Sequence, residues 1–191
     1  MSVQWFVVGI SGATCSGKST LADMLHKKFP TSIMLRQDDY FLPSDDSRHI
    51  KIQELNHMNW DLITSLDMQK MYSDITKILQ SPGKNTANSK LLLILDGFLL
   101  FKDKTITDLC DSKYFLTLTK EQCWERRKNR LYDPPDVPGY FDKVAWPEFI
   151  KYKNEIMENN ELYKTITFID GSKDMEKIYK MVSNEVGQLL C

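Results

Sequence analysis

From Gly12 to Ser19 the chain reads Gly-Ala-Thr-Cys-Ser-Gly-Lys-Ser, which fills the pattern G-x-x-x-x-G-K-[ST]. This stretch constrains the fold more than any other, because the pattern carries meaning only where a strand runs into it and a helix runs out. Trp5–Ile10 is an apolar run rich in Val and Ile, and Thr20–Phe29 places Leu21, Met24, Leu25 and Phe29 at helical spacing before Pro30 stops the helix. Both conditions hold, so the stretch reads as a phosphate cradle rather than a Gly/Ser turn that matches by chance. Gly12 and Gly17 let the backbone turn tightly enough for N–H groups along Ala13, Thr14, Cys15, Ser16 and on to Thr20 to face one anion. The following helix adds its positive end. Lys18 can reach β- and γ-phosphates as a flexible point charge, and the Ser19 hydroxyl can ligate a bridging Mg²⁺.

The 191 residues suffice for one domain with a sizeable core. Lys plus Arg is 25 and Asp plus Glu is 26, with no basic run long enough to track a polyanion, so nucleic acid is not an expected partner. No apolar run approaches 18 residues, and the N-terminus enters the first strand without a leader pattern. A membrane partner is therefore not expected, and the expected location is cytoplasmic or nuclear. Cys15, Cys110, Cys123 and Cys191 form no C-x-x-C pair, and the histidines are His26, His49 and His57. Neither a disulfide framework nor a zinc site follows. Cys15, at a variable position of the motif, reads as a tolerated small residue.

Further strands are expected at Ser32–Arg36, Leu91–Asp96, Tyr114–Leu118 and Thr165–Ile169. Between them, a helix capped near Asp67 carries Met68, Met71, Tyr72, Ile75, Ile78 and Leu79 on one face. Thr119 and Gln122 fit a capping box. A helix spans Trp146–Asn159 with Pro147 near its start, and the last helix buries Met175, Ile178, Val182, Val186 and Leu190. Leu42–Asn59 is polar and aperiodic and reads as a loop, and Ser81–Lys90 reads as a linker. Strands alternating with helices imply an α/β fold: a doubly wound parallel sheet of about five strands with a small helical lid. We expect one domain over residues 1–191, with an insert at about 40–66 and a lid at about 124–146, acting as a monomer.

Asp38 and Asp39 close an interior strand, where open α/β sheets bind ligands, so one of them is a candidate for metal or base chemistry; the alternative is a plain turn. Asp96 ends the apolar run Leu91–Leu95, where a second metal-organising acid belongs. Arg126 and Arg130 stand four apart and are expected on one helix face, running into a Pro-rich aromatic loop that suits a lid bringing Arg to phosphate. Asp136-Val137-Pro138-Gly139 matches the GTPase fragment D-x-x-G, yet no strand precedes it and no N-K-x-D occurs, so that reading is set aside.

Five blocks together carry a family resemblance: Gly9–Ser19, Gln37-Asp38-Asp39-Tyr40-Phe41, Asp96-Gly97-Phe98-Leu99-Leu100-Phe101, Tyr114-Phe115-Leu116-Thr117, and Pro134–Asp142 with Trp146-Pro147. Spread over nearly the whole chain, they resemble the nicotinamide riboside kinases, of the uridine-kinase-like branch of P-loop kinases. The resemblance implies ATP-dependent phosphorylation of the 5′-hydroxyl of nicotinamide riboside, with Mg²⁺. It implies that Lys18 binds phosphate, that Ser19, Asp38 and Asp96 serve the metal, and that Asp38 acts as general base. By the same resemblance Gln37–Phe41 would place Asp39, Tyr40 and Phe41 beside the substrate. Trp60 would stack on the pyridine ring with Tyr132 on its other face, and Asp61 and Arg127 would hold the ribose. Asp133 and Asp136 would be lid acids near the base, Arg126 and Arg130 would serve the ATP phosphates, and Lys173 would lie against adenine. Asp96 stands where the family usually has glutamate, and Trp60 where it usually has tyrosine. The alternatives are a uridine/cytidine-type kinase and a non-catalytic nucleotide-binding protein.

Overall fold

The computed structural model describes residues 4–81 and 90–190. The linker expected at Ser81–Lys90 thus falls almost wholly outside the described residues. In chain order the elements are β1 (Trp5–Gly12), α1 (Lys18–Lys28), β2 (Ile33–Arg36), β3 (Lys51–Ile52), β4 (His57–Met58), α2 (Met68–Gln80) and β5 (Leu91–Asp96). There follow α3 (Lys104–Leu109), β6 (Ser112–Thr117), α4 (Lys120–Arg127), α5 (Trp146–Glu158), α6 (Asn160–Thr165), β7 (Ile166–Asp170) and α7 (Met175–Leu190).

Five strands form one sheet in the order β2-β5-β1-β6-β7, and every pairing is parallel, so β2, expected as an interior strand, is an edge strand paired with β5 alone. The period of two decides which side chain faces which layer. Val7 of β1 and Leu93 and Leu95 of β5 join Met71, Ile75, Tyr152 and Ile156 from α2 and α5 on one side. Val8 and Ile10, with Leu92 and Ile94, join Leu21 and Leu25 of α1 and Val182 and Val186 of α7 on the other. A sheet covered on both faces explains why these strands read as unbroken apolar runs.

Chain order reverses at β1: the chain first passes to β2 and β5 on one side, then to β6 and β7 on the other. Ligands of such sheets bind above the carboxyl end at this switch point. Ile10 is in register with Asp96 and Gly12 with Leu116, so the end of β1 is flanked by the ends of β5 and β6.

Several elements depart from expectation. α1 starts two residues earlier, at Lys18, directly on the Gly17 cap. On α2, Asp67 caps the helix by accepting from the Lys70 N–H, but Tyr72 is exposed, since it sits one step round from Met71 and off the Met68–Met71–Ile75 stripe. Residues 42–59, read as loop, hold the two-residue antiparallel hairpin β3–β4, turned by Asn56 in the left-handed region. α3 is an additional short helix whose N–H groups at Thr105 and Ile106 are capped by Asp103. The capping box of α4 is present, with Gln122 N–H on Thr119 Oγ1 at 3.3 Å and Thr119 N–H on Gln122 Oε1 at 3.0 Å.

Candidate active site

The phosphate loop follows directly from β1. Gly12 has φ +130°, and a Cβ there would collide with the Leu116 carbonyl of β6, so only glycine lets the loop leave the sheet at this point. Gly17, at φ +96°, turns the chain into α1. Cys15 takes φ +57° without the freedom of glycine. Lys18, the first residue of α1, is buried and curls back over the loop to donate to the Ala13 carbonyl at 2.7 Å. Burial pulls its ammonium below the usual lysine range, opposed by the negative charges of Asp96 and Asp38.

Asp96 ends β5 facing this lysine. It is 4% exposed, its Oδ1 has no hydrogen-bond partner among the described residues, and the Ser19 hydroxyl bonds its carboxyl group. Burial raises its pKa against the attraction of Lys18 and the Ser19 bond. Asp38 sits in the 3-10 turn Gln37–Tyr40 that closes β2, exposed and lining the same cleft. Ser19, Asp38 and Asp96 thus form an all-oxygen set beside the phosphate loop, and the unpartnered buried Asp96 oxygen fits a hard divalent cation. Among the described residues no group of three His, Cys, Asp or Glu side chains could hold a metal alone.

The cleft has a volume of about 540 Å³ and runs from Gly12, Thr14, Lys18 and Ser19 to an aromatic end. There Phe41 stacks on Phe98 with centroids 5.8 Å apart and meets the edge of Trp60 at 5.9 Å. Trp60 also rests against His49 at 4.4 Å, and its Nε1 is buried without a partner among the described residues. Asp61 lies beside it, its Oδ2 bonded by the Tyr140 hydroxyl at 2.9 Å. Desolvation raises the pKa of Asp61, while the Arg127 charge and the Tyr140 bond pull it down.

The end of α4 and the segment after it form the facing wall. Arg127, 5% exposed, makes a two-pronged bond to Asp136 at 2.7 and 2.9 Å and donates to Thr14 Oγ1 at 3.0 Å. These bonds outweigh the desolvation of its guanidinium and raise its pKa. The Tyr132 ring lies under two guanidiniums, Arg127 at 4.2 Å and Arg130 at 5.0 Å. Its hydroxyl is 3.0 Å from Thr14 Oγ1 and 3.5 Å from Cys15 Sγ, and burial pushes it up to about 12. The wall is therefore hydrogen-bonded to the phosphate loop through Thr14.

The structure brings Thr14, Lys18, Ser19, Asp38, Phe41, Trp60, Asp61, Asp96, Arg127, Arg130, Tyr132, Asp133 and Asp136 around one cleft. Other expected site residues lie elsewhere. Tyr40 turns under α2, where its hydroxyl donates to Asp74 at 3.3 Å, and the exposed Asp39 beside it does not line the cleft. Arg126 and Arg130 do not share a helix face: α4 ends at Arg127, and Arg130 lies beyond it in a turn closed by its N–H on the Arg127 carbonyl. Arg126 passes outside the phosphate loop, tying the Cys15 carbonyl to that of Gly171 at 3.2 and 3.1 Å. Lys173 is exposed in the turn between β7 and α7, outside the cleft lining. Arg127, expected to hold a ribose with Asp61, lines the same cleft, where its charge acts on Asp61 while its hydrogen bonds go to Asp136 and Thr14.

Sequence reasoning missed Phe98, Phe149, Tyr140 and Tyr152, which also line the cleft. Phe98 follows Asp96-Gly97 directly, so its place beside the acid was the available signal; Phe149 and Tyr152 carry only the helical period of α5.

No family model matches the sequence. Over 192 residues the chain is 36% identical to nicotinamide riboside kinase 1 of Rattus norvegicus, covering 97% of this chain and 95% of that protein. It is 35% identical to nicotinamide riboside kinase 1 of Homo sapiens, covering 97% and 94%. A uridine kinase of Leuconostoc citreum is 25% identical, covering 100% and 99%. Among solved structures, a gluconokinase from Sinorhizobium meliloti superposes with a TM-score of 0.57 at 14% identity, covering 100% and 95%, which supports the fold alone. Relatives that share more than a third of their residues with this chain along almost all of its length show that it belongs to the nicotinamide riboside kinase family.

Proposed function

We propose that the chain transfers the γ-phosphoryl group of ATP to the 5′-hydroxyl of nicotinamide riboside, giving ADP and nicotinamide mononucleotide, an NAD precursor. The observation that carries this reading is the two-ended cleft, with the phosphate loop at one end and Trp60, Phe41 and Asp61 at the other. A cationic pyridinium suits aromatic faces with acids nearby, and a ribose hydroxyl suits a carboxylate acceptor. Residues of about 40–66 would form the substrate insert and those of about 124–146 the lid.

In the reaction the 5′-oxygen attacks the γ-phosphorus, the bond from that phosphorus to the β–γ bridging oxygen breaks, and the hydroxyl proton passes to Asp38. Lys18 and Arg130 face the cleft as cations and would neutralise charge on the transferring group. Ser19, Asp38 and Asp96 would hold Mg²⁺, which would supply further charge neutralisation at the phosphates. The 28% exposure of Asp136 against 5% for Arg127 places their pair at the border of cleft and solvent, where it would anchor the lid.

Incubation with Mg·ATP and a panel of ribosides tests the reading. ADP should form fastest with nicotinamide riboside. No ADP formation with it refutes the proposal, and faster turnover of uridine transfers the activity to the uridine-kinase-type alternative.

A further inference from the structure

Tyr140 belongs to the Pro-Gly-Tyr-Phe stretch within the proposed lid segment, and its ring is buried. Its hydroxyl donates to Asp61 Oδ2 and accepts from the Trp60 N–H, both at 2.9 Å. One oxygen of the lid therefore fixes two consecutive residues of the insert that face the cleft. The ring itself is held by the edge of His57, with centroids 5.2 Å apart, and by the Arg127 guanidinium at 5.9 Å. A neighbouring bond clamps the same stretch: the Asp61 N–H donates to Asn59 Oδ1 at 3.1 Å, while Asn59 Nδ2 reaches Glu148 of α5 at 3.0 Å. Among the described residues, Asp61 Oδ1 accepts no protein hydrogen bond, whereas Oδ2 is occupied.

We infer that Tyr140 is a positioning residue for the riboside. By occupying Oδ2 and anchoring the Trp60–Asp61 backbone, it leaves Asp61 Oδ1 as the open acceptor, held in a fixed orientation for one ribose hydroxyl. Riboside recognition is thereby tied to docking of the lid against the insert. Without the phenol hydroxyl the carboxylate rotates and offers two equivalent acceptors, and the bound sugar loses its fixed orientation toward Asp38. The inference rests on the proposed role of Asp61 at the ribose.

The test is Tyr140→Phe, assayed with nicotinamide riboside and with its 2′-deoxy and 3′-deoxy analogues at saturating Mg·ATP. A hydrogen bond to a charged group sets the scale, so KM for the riboside should rise about tenfold. KM for ATP should stay within twofold, which a general loss of structure would not allow. The preference for riboside over the deoxy analogue lacking the bound hydroxyl should shrink by a similar factor. Because Tyr140 acts through Asp61, Asp61→Asn combined with Tyr140→Phe should be no worse than Asp61→Asn alone.

If Tyr140→Phe proves too unstable to assay, Tyr140→p-fluorophenylalanine fills the hydroxyl's volume without donating, and Tyr140→p-aminophenylalanine donates. The first should show the raised KM and the second should restore it. An unchanged riboside KM in Tyr140→Phe or in the fluorinated variant, or effects that multiply in the double variant, overturns the inference. Inactivity of the parent protein toward nicotinamide riboside overturns the proposed function instead.

Discussion

Replacing Asp136 by Ala should destabilise this protein more than the loss of a surface ion pair would. Arg127 is 5% exposed and the Asp136 carboxylate 28%, joined by bonds of 2.7 and 2.9 Å. Removing one partner of a fully buried pair costs about 3–5 kcal/mol, because the remaining charge is left without compensation. The partial exposure of Asp136 admits water, which reduces the expected cost to about 2–3 kcal/mol. The Thr14 bond, the Tyr132 and Tyr140 rings and the nearby Asp61 charge then remain around the guanidinium. Arg127→Met leaves a carboxylate that can turn to solvent, so it should cost less, about 1–2 kcal/mol. The double variant should resemble Arg127→Met alone rather than the sum. Urea unfolding at constant m-value provides the measurement, and thermal melting should show a fall of about 4–12 °C for Asp136→Ala in a chain of this size. A loss below about 0.5 kcal/mol, within the usual surface range, would refute the reasoning, as would strict additivity.

Asp38→Asn should lower kcat by about a hundredfold or more while ATP affinity stays near that of the parent, since a general base contributes on that order; retained turnover would favour the non-catalytic binding reading. Gly12→Ala should abolish ATP binding, measured by calorimetry, because φ +130° and the Leu116 carbonyl leave no room for a methyl group. Burial raises the folded-state pKa of Asp61, so its contribution to stability is fully present below the unfolded value near 4 and is lost as pH rises through the folded value. Asp61→Asn should accordingly melt above the parent at pH 7.5, lose that advantage as pH falls toward 4, and bind riboside less well; melting below the parent at pH 7.5 would contradict this sign.

What was legible in the chain follows from which interactions are local. The strand, loop and helix from Trp5 to Lys28 could be read directly, because glycine spacing and apolar period are properties of neighbouring residues. The same holds for the Thr119–Gln122 box and the Asp67 cap. The reversal of side-chain direction between Val7 and Val8 was invisible as a pattern, since a strand covered on both faces shows no alternation of polarity. Arg126 and Arg130 were separated because α4 ends at Arg127 and gives way to a turn at Lys128–Asn129, a stretch with no Gly or Pro to announce it. Tyr40 was misplaced because a 3-10 turn sends adjacent side chains in different directions, and its partner Asp74 lies on another element. The pairing of Arg127 with Asp136 and the grip of Tyr140 on Asp61 depend on how the chain after α4 folds back, over a separation of 79 residues in the second case. Short elements such as α3 and the β3–β4 hairpin are stabilised by caps and tertiary contacts rather than by period.

The most direct measurement is ³¹P NMR of the purified protein with Mg·ATP and nicotinamide riboside, compared with Asp38→Asn under the same conditions. Transfer to the 5′-hydroxyl should produce one new phosphomonoester resonance coupled to the 5′-methylene protons, growing in step with ADP and absent or at least a hundredfold slower in the variant. Release of inorganic phosphate without that ester, or an ester formed equally well by Asp38→Asn, would contradict the assignment of this cleft to riboside phosphorylation.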